Sequence, residues 1–298
     1  MPKTALLIAN RGEIAIRIAR AARDMGVRAF MVYSEHDAGS LHLRAGDEAV
    51  ALPGRGAAAY LDMGAMIGAA RDAGCGSIHP GYGFLAENGN FARACAEAGV
   101  AFIGPSPEHL DLFGDKARAR EAAQAAEVPV IKGIDRAVTL DEAKAFFAAE
   151  GPVMLKAVAG GGGRGARAVL EAEELEPAYR RCASEAKAAF DDDALYVEAF
   201  IPRARHVEVQ ILGDLHGAVT HLFERECSVQ RRFQKLVEIA PAPALDDKLR
   251  REMIEAALRL AGSVGYRNLG TFEFLIDITG RAGGQPFIFI EANARLQV

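Results

Sequence analysis

Apolar positions along the first hundred residues alternate between two rhythms. TALLIAN (4–10) and RAFMVYS (28–34) are short strand-like runs, whereas GEIAIRIARAARDMG (12–26) carries apolar residues at helical spacing and stops at Gly26. YLDMGAMIGAARDAG (60–74) predicts another helix, SIHPG (77–81) a strand end, NFARACAEAG (90–99) a helix and VAFIGPS (100–106) a closing strand. Strands separated by helices imply a parallel sheet with helices on its faces, so residues 1–113 are expected to form an open α/β domain. DKARAREAAQAAEVPV (115–130) predicts a connecting helix within a linker at 114–130. A compact α+β unit is expected at 131–201: helix TLDEAKAFFAAEG, strand PVMLKAV, a glycine run, strand ARAVLE, a helix near 173–189 and strand DALYVEAFI. From 202 to 298 strands dominate (RHVEVQILGD, GAVTHLFERE, GTFEFLIDITG and PFIFIEANARLQV), with one helix near 247–264.

Composition narrows the function without choosing it. The chain has 298 residues, 50% hydrophobic and 25% charged, with a net charge of −5, which argues against a bulk polyanion binder such as a nucleic-acid protein. Cys75, Cys95, Cys182 and Cys227 are scattered without zinc spacing, as expected for reduced thiols in the cytoplasm. No run approaches the roughly 18 apolar residues of a membrane helix.

The glycine run KAVAGGGGRGARAV (156–169) contains a literal GxGxxG at Gly160, Gly162 and Gly165. That dinucleotide fingerprint requires a helix after it, and ARAVLE alternates like a strand. A strand–glycine–strand hairpin instead offers backbone N–H groups on a mobile flap over a polyphosphate, with Gly160, Gly161, Gly162 and Gly163 at its tip; the bland alternative is a flexible linker. Lys156 ends the preceding strand and would place an ammonium near the phosphates.

The last two strands carry paired acids. If they form a hairpin with Asp277 opposite Phe287, Glu273 falls opposite Glu291, and Glu291 shares a face with Asn293 and Arg295. The apolar partners on the other face would be Phe272, Phe274, Ile288 and Ile290. Opposed carboxylates repel unless a cation or proton lies between them, and two carboxylates with an amide oxygen suit Mg²⁺; a solvated face with tolerated repulsion is the alternative. The basic run CSVQRRFQK (227–235) is either a small-anion site or ordinary surface charge, since acidic residues nearly balance basic ones around it. Nothing around Cys227 marks it as a catalytic thiol.

Together, ANRGEIAIR (9–17), HPGYGFLAEN (79–88), GDK (114–116), KAVAGGGGRG (156–165), RHVEVQ (205–210), ERECSVQRRFQK (224–235), GTFEF (270–274) and EANARLQV (291–298) resemble the biotin carboxylase family of the ATP-grasp fold. The resemblance covers the whole chain and about two-thirds of such a module. It implies an α/β protein: an N-terminal open parallel-sheet domain, then an ATP-grasp fold with a small α+β lid and an incomplete C-terminal domain. The implied activity is ATP- and bicarbonate-dependent carboxylation of biotin on a biotin carboxyl carrier protein or domain, working with a carboxyltransferase.

By similarity, Lys116, Lys156, Glu198, Ile201, His206 and Gln230 would hold ATP, with Gly160–Gly163 over its phosphates. Glu273, Glu291 and Asn293 would bind Mg²⁺ or Mn²⁺. Lys235, Arg295, Gln297 and the Val298 backbone would hold bicarbonate, and Tyr82 would face the biotin pocket. Arg20 and Asp24 on the first helix would form a homodimer contact. Val158, Phe233 and Ala292 depart from the family pattern, and Phe233 replaces a polar contact near the nucleotide. The family continues past the equivalent of Val298 into a glutamate base and a later arginine, so the chain as printed is expected to bind MgATP weakly and not to carboxylate biotin. Another ATP-grasp carboxylate ligase and a non-catalytic nucleotide-binding subunit are the competing readings.

Overall fold

A computed structural model describes residues 5–134, 136–159, 165–231, 234–278 and 285–298. The first unit contains β1 (Ala5–Ile8), α1 (Gly12–Asp24), β2 (Ala29–Tyr33), β3 (Glu48–Ala51), α2 (Gly56–Ala59), α3 (Met63–Asp72), β4 (Cys75–His79), α4 (Gly89–Glu97) and β5 (Ala101–Phe102). Its five strands form a parallel sheet in the order β3-β2-β1-β4-β5. β1 and β2 are almost wholly buried because helices cover both faces, which explains their continuous apolar runs. β3 has no such run: it is a mostly exposed edge strand, EAVA, and the apolar pattern did not announce it.

α5 (Pro107–Gly114) and α6 (Lys116–Ala125) follow, each with a capping side chain: Ser106 accepts from the His109 amide, and Asp115 from those of Ala117 and Arg118. The helix predicted as a connector buries Ala119 and Ala123 in the core beneath the third sheet described below. The extended segment after it pairs with that sheet through Val130 and Phe289.

The small unit has β6 (Gly133–Ile134), α7 (Leu140–Glu150), β7 (Val153–Ala157), β8 (Ala166–Val169), α8 (Ala172–Phe190) and β9 (Leu195–Ala199), in an antiparallel sheet ordered β6-β9-β7-β8. β7 and β8 pair directly, so a strand does follow the glycine run, and the dinucleotide fingerprint fails for the expected reason. Gly160–Gly163 themselves lie outside the described residues. Gly165, just after them, is required: its φ is +71°, and a Cβ there would stand 2.9 Å from Ala157 Cβ.

The remaining chain folds as β10 (Ala204–Gly213), β11 (Val219–Arg231), β12 (Gln234–Ile239), α9 (Asp247–Ser263), β13 (Asn268–Asp277) and β14 (Ile288–Asn293), ordered β12-β11-β10-β13-β14 and antiparallel. The basic run therefore spans the end of β11 and the start of β12, which pair antiparallel. One face of this sheet carries an aromatic core in which Phe113, Tyr266, Phe272 and Phe289 contact in sequence at 5.7, 5.6 and 6.2 Å between ring centroids. Among the described residues no helix is long and apolar enough to cross a membrane.

The predicted hairpin register holds at its working end and fails beyond it. Thr271, Phe272 and Glu273 face Asn293, Ala292 and Glu291, but Phe274 faces Phe289 and Leu275 faces Ile288, so Asp277 does not face Phe287. The extra residue is Ile290, and the shift turns Phe287 and Phe289, rather than Ile288 and Ile290, towards Phe274 in the core. A bulge of this kind lets two phenylalanines pack without moving Glu291 off its face.

Candidate functional site

The opposite face of the large sheet is built by simple alternation. On β10, Val207, Val209 and Ile211 enter the core, which sends His206, Glu208 and Gln210 to the other side. Register then places Arg225, Glu208, Glu273 and Glu291 side by side across β11, β10, β13 and β14. Neighbouring strands lie about 4.8 Å apart, so three adjacent carboxylates in one row demand compensation.

The compensation runs from one end of the row. Arg225 Nε donates to Glu208 Oε1 at 2.6 Å, and Lys235 Nζ bridges Glu208 Oε2 (2.5 Å) and Glu273 Oε1 (2.7 Å). His206 Nε2 lies 2.5 Å from Glu273 Oε2, and Asn293 Nδ2 donates to Glu273 Oε1 at 2.5 Å. Gln230 Nε2 donates to His206 Nδ1 at 2.7 Å and to the Cys227 carbonyl at 2.8 Å, which leaves the imidazole hydrogen on Nε2, facing Glu273. Burial alone would raise the Glu273 pKa, but the His206 hydrogen bond and the Lys235 charge hold it well below the usual carboxylate range. Burial likewise opposes the charge on Lys235, and Glu273 and Glu208 together outweigh it, raising that pKa.

Glu291, at the other end, is left over. Among the described residues its carboxylate accepts no hydrogen bond and joins no ion pair. Burial, then the charge of Glu273, push its pKa up, against the pull of Lys116, Lys156 and His206. A carboxylate beside a second one, short of partners and surrounded by more distant cations, is where a divalent ion fits.

Lys156 forms an ion pair with the buried Glu198, and its ammonium lies 5.9 Å from the Tyr196 ring centroid. Lys116 opens α6 and is exposed, and Ile201 is half-buried just past β9.

The segment after β14 forms a second cluster. Arg295 donates from Nη2 to Asn293 Oδ1 (3.1 Å) and from Nη1 to Gln297 Oε1 (2.9 Å); Gln297 Nε2 donates to Thr271 Oγ1 (2.7 Å). Leu296 packs with Tyr82 against the core under α1, and Arg17 donates to the Gln297 carbonyl at 3.0 Å. Tyr82 belongs to a turn whose shape depends on Asn10, whose Nδ2 donates to the Pro80 and Tyr82 carbonyls at 2.7 and 2.8 Å. Gly81 in that turn has φ +67°, and a Cβ there would lie 2.9 Å from Asn10 Nδ2. Arg20 and Asp24 are exposed on α1. Cys227 is buried and burial raises its thiol pKa, in keeping with an inert side chain.

The structure thus gathers Lys235, His206, Gln230, Glu273, Glu291, Asn293, Arg295 and Gln297 on one surface, with the charges of Lys116 and Lys156 within electrostatic reach. Glu208, Arg225 and Gln210 were missed from sequence. Their signal was present in RHVEVQ, where extending the alternation from His206 puts Glu208 and Gln210 on the same face.

Comparison with known proteins places this geometry. The biotin carboxylase N-terminal domain model matches residues 2–110, and the ATP-binding domain model of the carbamoyl-phosphate synthase L chain matches residues 115–298. Mitochondrial pyruvate carboxylase of Mus musculus is 52% identical over 302 residues, covering 100% of this chain and 25% of that protein, so the chain spans about a quarter of the curated relatives it matches first. A biotin carboxylase of Campylobacter jejuni, solved as a β-γ-ATP complex, superimposes with a TM-score of 0.92 at 46% identity, covering 99% of this chain and 66% of that one. The biotin carboxylase domain dimer of Hydrogenobacter thermophilus 2-oxoglutarate carboxylase, solved with MgADP, ADP and bicarbonate, gives a TM-score of 0.91 at 42% identity, with 99% and 64% covered. Domain models that account for nearly the whole chain, and a shared fold at more than 40% identity, make it a member of the biotin carboxylase family.

Proposed function

We propose that the protein supplies the biotin carboxylase half-reaction: it uses ATP and bicarbonate to carboxylate biotin held on a carrier protein or domain, which a carboxyltransferase then unloads. The observation that carries this is the row Arg225–Glu208–Glu273–Glu291, compensated at one end, short of a cation at the other, and bordered by the arginine cluster after β14. A cation site and an anion site side by side suit phosphoryl transfer between ATP and a small oxyanion.

In this reading Glu273, Glu291 and Asn293 hold Mg²⁺ or Mn²⁺. The uncompensated Glu291 carboxylate and the oxygen-rich donor set fit a hard cation, which when bound would neutralise phosphate charge. Lys116 and Lys156 supply positive charge to the nucleotide phosphates, with Glu198 fixing the Lys156 ammonium, and Gly160–Gly163 cover them. Glu198, Ile201, His206 and Gln230 border the nucleotide. Lys235, Arg295, Gln297 and the Val298 backbone hold bicarbonate as it attacks the γ-phosphorus, forming a C–O–P bond while the bond to ADP breaks. The C–O bond of carboxyphosphate then breaks to give CO₂ and phosphate, and the biotin ureido nitrogen beside Tyr82 bonds to the CO₂ carbon as its proton passes to the phosphate.

Residues 1–113, 114–130, 131–201 and 202–298 serve as N-terminal domain, connector, lid and core. Arg20 and Asp24 form a homodimer contact, and the protein acts in the cytoplasm. The deciding test, made on the chain completed with the glutamate and arginine that the family carries beyond the equivalent of Val298, is phosphate release from MgATP that requires both bicarbonate and biotin, with carboxybiotin as product. ATP cleavage indifferent to bicarbonate would overturn the reading in favour of another ATP-grasp ligase.

A further inference from the structure

Arg295 is held on three sides, and one of them comes from a distant part of the chain. Asn293 Oδ1 takes Nη2, Gln297 Oε1 and the Leu296 carbonyl take Nη1, and Glu87 Oε2 lies 3.1 Å from Nε. Asn293, Leu296 and Gln297 belong to the same segment as Arg295 and move with it. Glu87 sits in the turn between β4 and α4, at the far end of HPGYGFLAEN, and belongs to the other sheet's unit. The arginine side chain is 20% exposed, whereas that of Glu87 is 45% exposed, so nothing in packing requires a glutamate there.

We propose that Glu87 is a positioning residue for the anion site: it fixes the guanidinium plane of Arg295 through Nε, so that the Nη2 hydrogen not taken by Asn293 faces the bicarbonate. This rests on the reading of Arg295 as a bicarbonate ligand. The physical case is one of preorganisation. A guanidinium presents its N–H groups in one plane, and a planar oxyanion is bound well only if that plane is set beforehand. Three acceptors on Arg295's own segment fix its position along the segment, and a partner from outside fixes its rotation. A carboxylate beside an anion site also repels the anion, so its presence is tolerable only if the orienting effect is the larger. The same turn carries Tyr82, which packs against the same core cluster as Leu296. Glu87 therefore joins the turn that carries the residue expected to face biotin to the residue expected to hold bicarbonate.

The two effects of Glu87 come apart in two variants. Glu87→Gln keeps an acceptor for Nε and removes the charge, and Glu87→Ala removes both. Each is compared with the unaltered full chain by ¹³C-bicarbonate NMR titration in the presence of MgADP, by the KM for bicarbonate and for ATP wherever bicarbonate-dependent ATP cleavage is measured, and by thermal melting. The expected result is bicarbonate affinity about tenfold weaker in Glu87→Ala and within about threefold of the parent in Glu87→Gln, with ATP affinity and melting temperature unmoved. Equal or tighter bicarbonate binding by Glu87→Ala would show Glu87 to be a competitor of the anion and overturn the inference while leaving the bicarbonate reading intact. Absence of bicarbonate binding in the parent chain, with Arg295→Ala indistinguishable from it, would overturn both.

Discussion

The two faces of the β12-β11-β10-β13-β14 sheet are made from the same strands and differ by one residue of phase. On one face Val207, Val209, Phe272 and Phe274 are fully buried against α9, α5 and α6. On the other, Glu208 and Glu273 are equally buried, at 0% and 1% exposure, but as charges. The apolar face is stable residue by residue, because each side chain removed from water contributes on its own. The charged face is stable only as a set: without Lys235 no cation would bridge Glu208 and Glu273, leaving two adjacent buried anions with Arg225 and His206 at their outer sides only. The first kind of face tolerates approximate composition, and the second requires every member.

This contrast can be broken in order of expected effect. Phe272→Ala removes a ring packed against Phe113, Tyr266 and Phe289, and should destabilise by about 4 kcal/mol in urea unfolding while nucleotide affinity of the folded fraction is preserved. Lys235→Ala should cost about 3 kcal/mol and, in the chain completed as above, also abolish bicarbonate-dependent ATP cleavage; if stability survived unchanged, the charged face would not be acting as a set. Glu208→Gln retains shape but halves the negative charge beside Lys235. In the completed chain it should lower kcat about tenfold, with the ATP KM little altered, and a steady-state comparison with the completed parent checks this.

The smallest effect has the opposite sign. The raised pKa of Glu291 means that the folded chain holds this proton more tightly than the unfolded chain does. At pH below the ordinary value of 4.5 both folded and unfolded states hold the proton and there is no penalty. As pH rises above that value the unfolded state releases it first, so the penalty grows and is complete once pH exceeds the folded pKa. Glu291→Gln should therefore raise the metal-free melting temperature by about 2–4 °C at pH 7, with the gain vanishing below pH 4.5, while magnesium-dependent nucleotide binding is lost.

Much of this was legible in advance. Helical spacing located α1, α3, α4, α7, α8 and α9, and alternation in GTFEFLID and FIFIEANAR brought Glu273 opposite Glu291. The same alternation misplaced Ile288 and Ile290, because a bulge is set by how two phenylalanines fit the core and leaves no mark in the spacing. β3 and β12 escaped because edge strands, half in water, need no apolar signature. Lys235 was expected in the anion site. That it also neutralises two buried glutamates could not be anticipated, because they lie on other strands.

What the sequence determined by itself is which side chains share a face, since a strand's period of two is a local property of its backbone. It therefore dictated an apolar face, an ionised face and a strand, not a helix, after the glycines. Which faces meet was decided only by the tertiary structure. Three glutamates far apart in the chain became one row through strand order, and Arg295 met Glu87 because the segment after β14 packs against the turn following β4. Contacts of that kind depend on the relative placement of whole elements, which the burial of many residues sets together and no single stretch encodes.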